Sequence, residues 1–241
     1  MKIAVISMSG SVGKTLVATY LLAPRMPDGT RFFAVESINK SADSLGIENV
    51  TKLKGREFGE LYEELSIEDD AVIDIGASNI ESFFDAAKRF TGGTKEIDLY
   101  LIPSYPDDKH VQEAIATAKA LIKTGVDAKN IRFIPNRVPM EQADNIENLY
   151  ADLFDFAAHH KAPNMVKVSY AITSDPLFED IGAIGISLEK LLNDKTDYKA
   201  LAKAETDPAK RKVHTGMRRI IAQADPIKSE LDRIYKEIIK K

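Results

Sequence analysis

The chain has 241 residues, a net charge of −4, and apolar and charged fractions of 44% and 29%, which are typical of a soluble globular protein. It contains no cysteine, which excludes disulfides, thiolate metal sites and thiol catalysis. Its four histidines argue against a histidine metal site, and no apolar run approaches the roughly 18 residues of a membrane span. The first residues predict a strand rather than a secretion signal, so we expect a cytoplasmic protein.

Short apolar runs alternate with helical patterns, which predicts a mostly parallel, twisted sheet with helices on both faces. The predicted strands are 2–7, 30–36, 70–76, 97–103, 131–136 and 165–170. The predicted helices between them are 14–23, 55–66, 79–90, 107–124 and 141–159. Two further helices, 208–223 and 226–240, follow a polar hinge at 193–208. We therefore expect an α/β domain over residues 1–192 and a helical, basic extension over 193–241.

A glycine-containing turn between the first strand and the first helix reads Gly10-Ser11-Val12-Gly13-Lys14-Thr15. Glycine lets the backbone curl so that successive N–H groups face an anion, and the following helix directs its N-terminal dipole to the same point. Lys14 would neutralise nucleotide phosphates, and the Thr15 hydroxyl would bind Mg²⁺. The pattern is incomplete, because Met8 stands where its first glycine would be. We predict a phosphate-binding loop whose contacts run from Ser9 to Leu16; the alternative is an ordinary strand–turn–helix.

Three polar residues close predicted strands, where ligands bind in sheets of this kind. Asp74, with Gly76 two residues later, is suited to hold a metal-bound water. Glu36 could orient or deprotonate an attacking water. Asn136 could read the edge of an adenine ring. The simpler alternatives are a loop-capping Asp, a solvated Glu and a turn Asn.

The sequence resembles the ParA/MinD group of partition and positioning P-loop ATPases in the order of its motifs, which are the loop, Glu36, Asp74 and Asn136. The group's loop reads K-G-G-V-G-K-T, and its third strand ends in Asp, as Val72-Ile73-Asp74 does here. Its strand-end Asn-Arg pair is similar to Asn136-Arg137, and residues 174–180 with Gly185 resemble its nucleotide-side loop. The resemblance covers residues 1–192.

The resemblance implies a P-loop NTPase that binds ATP or ADP with Mg²⁺, hydrolyses ATP slowly and forms a nucleotide-dependent homodimer. It implies catalytic roles for Lys14, Glu36 and Asp74, and metal binding by Thr15 and Asp74. Asn136 and Arg137 would contact the nucleotide, together with the loop.

Two residues depart from the group's pattern. The signature lysine, which reaches the partner's phosphates in the group's dimer, falls at Ser9, and Glu36 stands in place of Asp. A lost charge-assisted contact to a phosphoryl group lowers the rate, unless Lys40 or Arg137 substitutes for it. The loop and residues 35–39 are more similar to the StbB-type branch, which is associated with plasmid stability and conjugation.

The C-terminal segment is basic: from Lys199 onward it has 12 Lys and Arg against six Asp and Glu, in a chain whose total charge is −4. Its last helix would dock on the core and leave a basic face for DNA phosphates, lie on a membrane surface, or fold its charges against the acidic body. We expect no DNA-reading domain before the first strand, and we therefore expect an adaptor protein to find the DNA site. An apolar stripe is formed by Ile227, Leu231, Ile234, Tyr235, Ile238 and Ile239.

Three functions follow from these features. The first is an ATP-dependent switch in plasmid partition, stability or conjugation. The second is a small-molecule ligase or kinase similar to dethiobiotin synthetase, a group whose loop also lacks the signature lysine, although no substrate cluster is evident. The third is a nucleotide-binding scaffold without turnover, which Ser9 supports.

Overall fold

The computed structural model describes residues 1–35 and 45–240, and within them six parallel strands form one sheet in the order β3-β2-β4-β1-β5-β6. The four central strands are almost wholly buried because helices cover both faces of the sheet. The predicted α/β fold is confirmed. The strands are β1 (Lys2–Ile6), β2 (Arg31–Val35), β3 (Val50–Leu53), β4 (Ala71–Ile75), β5 (Leu99–Ser104) and β6 (Ile131–Pro135).

The helix after the loop begins as α1 (Lys14–Leu16), continues as a π-helical segment (Val17–Leu22) and ends as a 3₁₀ turn (Ala23–Arg25). The other helices of the described chain are α2 (Phe58–Ile67), α3 (Ile80–Ala87), α4 (Asp108–Lys123), α5 (Ile146–Leu149), α6 (Ala151–His159), α7 (Leu177–Ile184), α8 (Leu188–Asn193), α9 (Tyr198–Ala204) and α10 (Pro208–Ile238). No helix in residues 1–35 and 45–240 combines the length and apolar character needed to cross a bilayer.

Side-chain alternation along the strands sorts the core into two layers. In β1, Ala4 and Ile6 face the layer formed with α2, α3 and α4, whereas Ile3 and Val5 face the opposite layer. That second layer contains the helical segment after the loop, α7, α8 and the buried side of α10. The loop helix and α10 therefore share one face of the sheet.

Two strand predictions were wrong. β3 was not predicted, because Val50–Leu53 is a short edge strand with a half-exposed, partly polar sequence. Residues 165–170 do not form a sixth strand; they include a 3₁₀ turn (Val168–Tyr170) whose N–H groups bond locally, as Tyr170 N does to Lys167 O at 3.0 Å. This part of the chain still contacts β6, since Phe133 N donates to Met165 O at 2.6 Å and Ile172 N donates to Pro135 O at 2.8 Å. An isolated bridge between Val138 and Thr173 follows.

The two predicted terminal helices are one helix, α10, which passes through Pro226. Proline removes a helical hydrogen bond and predicts a break. The break does not occur because one apolar stripe runs along both sides of Pro226 and packs on the core. Its buried members are Ile220, Ala224, Ile227, Leu231, Ile234 and Ile238. The predicted helix 141–159 is instead divided into a 3₁₀ segment (Met140–Asn145), α5 and α6, and the predicted hinge contains α9.

Candidate nucleotide site

The predicted phosphate loop lies between β1 and α1, at the carboxyl edge of the sheet. Ser9 and Val12 are buried within it, whereas Gly10 and Ser11 are exposed. Ser11 and Gly13 both have left-handed backbone angles, with φ of 60° and 85°. Two left-handed residues in a short loop curl the backbone, which is the geometry expected of an anion cradle.

Three side chains from the β5–β6 half of the molecule hold this loop. The Thr117 hydroxyl accepts a hydrogen bond from Met8 N at 3.0 Å. The Tyr105 hydroxyl donates to Ser11 O at 2.5 Å, and Asn136 Nδ2 donates to Val12 O at 2.8 Å. These bonds satisfy two backbone carbonyls and one backbone amide, and they tie the loop to the β5–β6 half of the molecule.

Gly13 is required at its position for two reasons. Its φ of 85° is one that residues other than glycine adopt only under strain. A Cβ at this position would also lie 2.4 Å from Asn136 Nδ2. Gly10 differs, because a Cβ at Gly10 would meet nothing within 4 Å. Gly13 is therefore required by its contact with Asn136, directly after β6, and the motif alone did not predict that contact.

Lys14 begins α1 and is only 8% exposed, and its ammonium group donates to Ser9 O at 2.5 Å. The side chain therefore turns back over the loop rather than into solvent. The Thr15 side chain follows at the first turn, half-buried. A cation and a hydroxyl at a helix N-terminus beside a curled loop are the groups that bind phosphate and its metal ion.

Asp74 lies on β4, next to β1, in register with Val5. It is 3% exposed and, by alternation along β4, points to the same face of the sheet as the helix that begins at Lys14. Among the described residues, no three acidic or histidine side chains are grouped as a metal-binding set. The Thr15 hydroxyl and the Asp74 carboxylate fit Mg²⁺, which commonly binds one or two protein oxygens and completes its coordination shell with phosphate and water.

Asn136 lies at the end of β6, as predicted, but its side chain is buried, with 1% exposure, and it supports the loop. Its Oδ1 has no hydrogen-bond partner among the described residues. Arg137 is exposed, with φ of 52°, and its guanidinium lies 5.3 Å from the centre of the Tyr105 ring. Glu36 and Lys40 lie outside the described residues.

Tyr105 and Thr117 are loop contacts that the sequence reasoning missed. Tyr105 immediately follows β5, so the rule that singled out the other strand ends could have found it. Burial raises the pKa of the Tyr105 hydroxyl; Arg137 opposes this rise and Glu179, in the first turn of α7, adds to it. The hydroxyl therefore stays protonated and able to donate at neutral pH.

The sheet order, the loop and the flanking helices together define a P-loop NTPase fold of the ParA/MinD type. No family model matches the sequence, and no curated protein matches it. Solved structures do match in fold, at identities of 18% or less.

Three examples with TM-scores above 0.5 show the extent of the match. MinD from Aquifex aeolicus has a TM-score of 0.53 and 18% identity, with 91% of this chain and 96% of that chain covered. The ParA of pNOB8 has a TM-score of 0.52 and 13% identity, covering 97% and 98%. A variant of Cyanothece McdA in complex with ATP has a TM-score of 0.51 and 16% identity, covering 92% and 96%.

Proposed function

We propose that this protein is an ATP-binding switch with weak ATPase activity that acts in plasmid partition, stability or conjugation. The observation that carries the proposal is the curled loop, with Lys14 folded over it and Asp74 buried on the adjacent strand. The ATP complex of the McdA variant, which shares the fold, supports ATP as the ligand.

In the proposed site, the loop amides and Lys14 bind the phosphates, and Thr15 and Asp74 hold Mg²⁺ directly or through water. The metal ion would supply charge neutralisation at the phosphate oxygens. Glu36 would orient the attacking water, and Arg137 would lie beside the nucleotide. Asn136 would act chiefly by holding Val12, because its amide already donates there.

ATP binding and turnover test the proposal. We expect Lys14→Ala and Asp74→Ala each to lower turnover by about 100-fold or more, since each removes a charge that acts on the reacting phosphate or its metal ion. The matched control is Lys88→Ala, which changes an exposed lysine directly after α3 that pairs with the exposed Asp85. Equal turnover in all three variants would contradict the assignment. Glu36→Gln is a separate test, and an unchanged rate would remove Glu36 from the mechanism.

A nucleotide-binding scaffold without turnover is the second candidate. Ser9 occupies the place of the group's signature lysine and is buried against the loop, so its side chain supplies no cation. Measurable ATP binding with no hydrolysis, with or without DNA, would favour the scaffold. No structural observation favours the small-molecule ligase or kinase.

We further propose that the amino-terminal half of α10 binds DNA phosphates without reading sequence. Residues 208–219 contain no buried side chain, and five of their exposed side chains are basic. The apolar stripe farther along α10 is buried on the core, so it is not available to enter a membrane surface. The five basic residues are Lys210, Arg211, Lys212, Arg218 and Arg219.

The salt dependence of DNA binding tests this surface. Changing Lys210, Lys212 and Arg218 together to Gln should weaken binding and reduce the log–log salt slope by about 3, because about 0.9 counterions are released per phosphate contact. The control variant changes Lys88, Lys119 and Lys123 to Gln, which removes the same charge from exposed positions elsewhere. An equal loss of DNA affinity in both triple variants would mean that net charge alone explains the effect. Binding to anionic vesicles instead of DNA would overturn the proposed DNA surface.

A further inference from the structure

Two arginine side chains are buried in the described part of the chain, and among the described residues a carboxylate pairs with one of them. Arg25, whose side chain is 8% exposed, places Nε 2.7 Å from Asp232 Oδ1 and bonds the carbonyl of Tyr20. Arg132, in β6, is 5% exposed and bonds the carbonyls of Lys129 and Ile131 at 2.6 and 3.0 Å. Within the described residues, Arg132 forms no ion pair with a carboxylate, and its Nε has no hydrogen-bond acceptor.

This difference matters because a guanidinium does not lose its proton in a protein. Burial lowers the pKa of both arginines, and for Arg25 the Asp232 carboxylate opposes that effect. For Arg132 only the Tyr170 hydroxyl opposes it. A buried charge without compensation destabilises a fold, so a protein retains one where something else supplies the opposite charge.

A cavity of about 560 Å³ lies beside Arg132, at the amino ends of β1, β5 and β6. The phosphate loop is at the opposite edge of the sheet, about 17 Å away along the five residues of β1. The cavity is therefore separate from the candidate nucleotide site. Its polar lining consists of Lys129, Arg132, Lys240, Asn130, Asn164 and Asp98.

The lining has an excess of positive charge. Among the described residues that line it, Asp98 is the one carboxylate, and it accepts a hydrogen bond from Lys2 N at 2.7 Å. The two lysines have exposed partners, Lys129 with Asp127 at 3.1 Å and Lys240 with Glu237. Exposed pairs of this kind contribute little stability, so both ammonium groups can turn to an anion in the cavity.

We propose that this cavity binds a phosphate-class oxyanion, with Arg132 as its central ligand and Lys129 and Lys240 at its mouth. A guanidinium presents donors in a planar fork that matches a phosphate, and lysines add point charges. The two Asn amides can bond a hydroxyl or a further oxygen. The cavity exceeds the volume of the ion itself, which favours a phosphomonoester with a small organic group.

The test is two-dimensional NMR of the arginine Nε–H groups of the full chain, with inorganic phosphate and glycerol 3-phosphate as probes. The Arg132 signal is identified by its loss in Arg132→Met. We expect it to shift with saturation, while the Arg25 signal, already bonded to Asp232, stays in place. Tighter binding of the ester than of the free ion would identify a phosphate carried on a larger molecule as the ligand.

An unchanged Arg132 signal up to about 10 mM of either probe, tenfold above a dissociation constant of about 1 mM, overturns the proposal. So does an equal shift of both arginine signals, which would report ionic strength alone. Because the readout is local to Arg132, failure of ATP to bind at the loop would leave this result unaffected.

Thermal unfolding in a Lys14→Ala background, which weakens anion binding at the loop, gives a second readout. Phosphate should raise the Tm of that protein and should not raise it after Arg132→Met. Arg132→Met should fold well, since it removes an uncompensated charge. Arg25→Met breaks the ion pair that the buried guanidinium forms with Asp232, leaves that carboxylate with its more exposed partner Lys228, and should lower Tm. A phosphate-dependent rise that survives Arg132→Met would contradict the assignment.

Discussion

At the scale of single residues, the two glycines of the loop differ in whether the structure leaves room for a side chain. Gly13 combines a φ of 85° with a Cβ position 2.4 Å from Asn136 Nδ2, whereas a Cβ on Gly10 meets nothing within 4 Å. We expect Gly13→Ala to lower the free energy of unfolding by about 1–3 kcal/mol and to weaken ATP binding. Gly10→Ala should leave stability within about 0.5 kcal/mol, as measured by chemical denaturation. Equal effects of the two changes would show that contact with Asn136 is unimportant.

The Tyr105 hydroxyl positions the loop through a single hydrogen bond to Ser11 O. Tyr105→Phe removes that bond at a cost of about 1 kcal/mol, so we expect ATP affinity to fall about fivefold. Tyr198→Phe is the matched control, because its hydroxyl bonds Asp194 at 2.7 Å in the segment before α10. Nucleotide titration of both variants decides the point: unchanged affinity in Tyr105→Phe would mean that the loop holds its shape without this bond.

At the scale of elements, α10 shows tertiary packing overriding a local signal. Pro226 lies within the helix, and the carbonyl of Ala222, four residues earlier, loses a partner there. Pro226→Ala should restore the bond and raise the free energy of unfolding by about 1–2 kcal/mol, after allowing for the more flexible unfolded chain. A decrease on denaturant unfolding would show instead that the helix needs the bend proline introduces.

In the buried stripe of α10, unlike at Pro226, we expect substitution by alanine to destabilise the protein. Leu231 and Ile234 are fully buried against the face of the sheet that also carries the loop helix. Leu231→Ala should lower the free energy of unfolding by about 2–5 kcal/mol. Lys236→Ala, at an exposed position near the same turn, should change it by far less. Similar small effects would mean that α10 contributes little to the core.

At the scale of the whole molecule, the proposed switch requires two copies. Ser9 supplies no cation, so any assembly driven by ATP must rely on other contacts across the loop edge of the sheet. We expect ATP with Mg²⁺ to convert monomer to dimer in analytical ultracentrifugation, and Lys14→Ala to remain monomeric. An equal dimer dissociation constant with and without nucleotide would show that dimerisation does not depend on ATP, and it would contradict a nucleotide switch.

The fold followed from the sequence because its signals are local. Apolar strands of about five residues alternating with amphipathic helices can bury their faces only in a covered parallel sheet. The loop was recognisable for the same reason: strand, turn and Lys14 are contiguous. β3 and the single α10 were missed because edge position and packing, rather than local pattern, decide them.

The sequence alone determined the fold class, the loop and the placement of Asp74 and Asn136 at strand ends. Only the tertiary structure decided what holds the loop, since Tyr105, Thr117 and Asn136 reach it from 94 to 124 residues away along the chain. It also showed that Asn136 supports Val12, a contact that the sequence did not predict. It distinguished Arg25, which pairs with Asp232, from Arg132, which has no carboxylate partner among the described residues. The physical reason is that hydrogen bonds and counter-ions depend on which distant side chains share a buried space, and no local pattern records that.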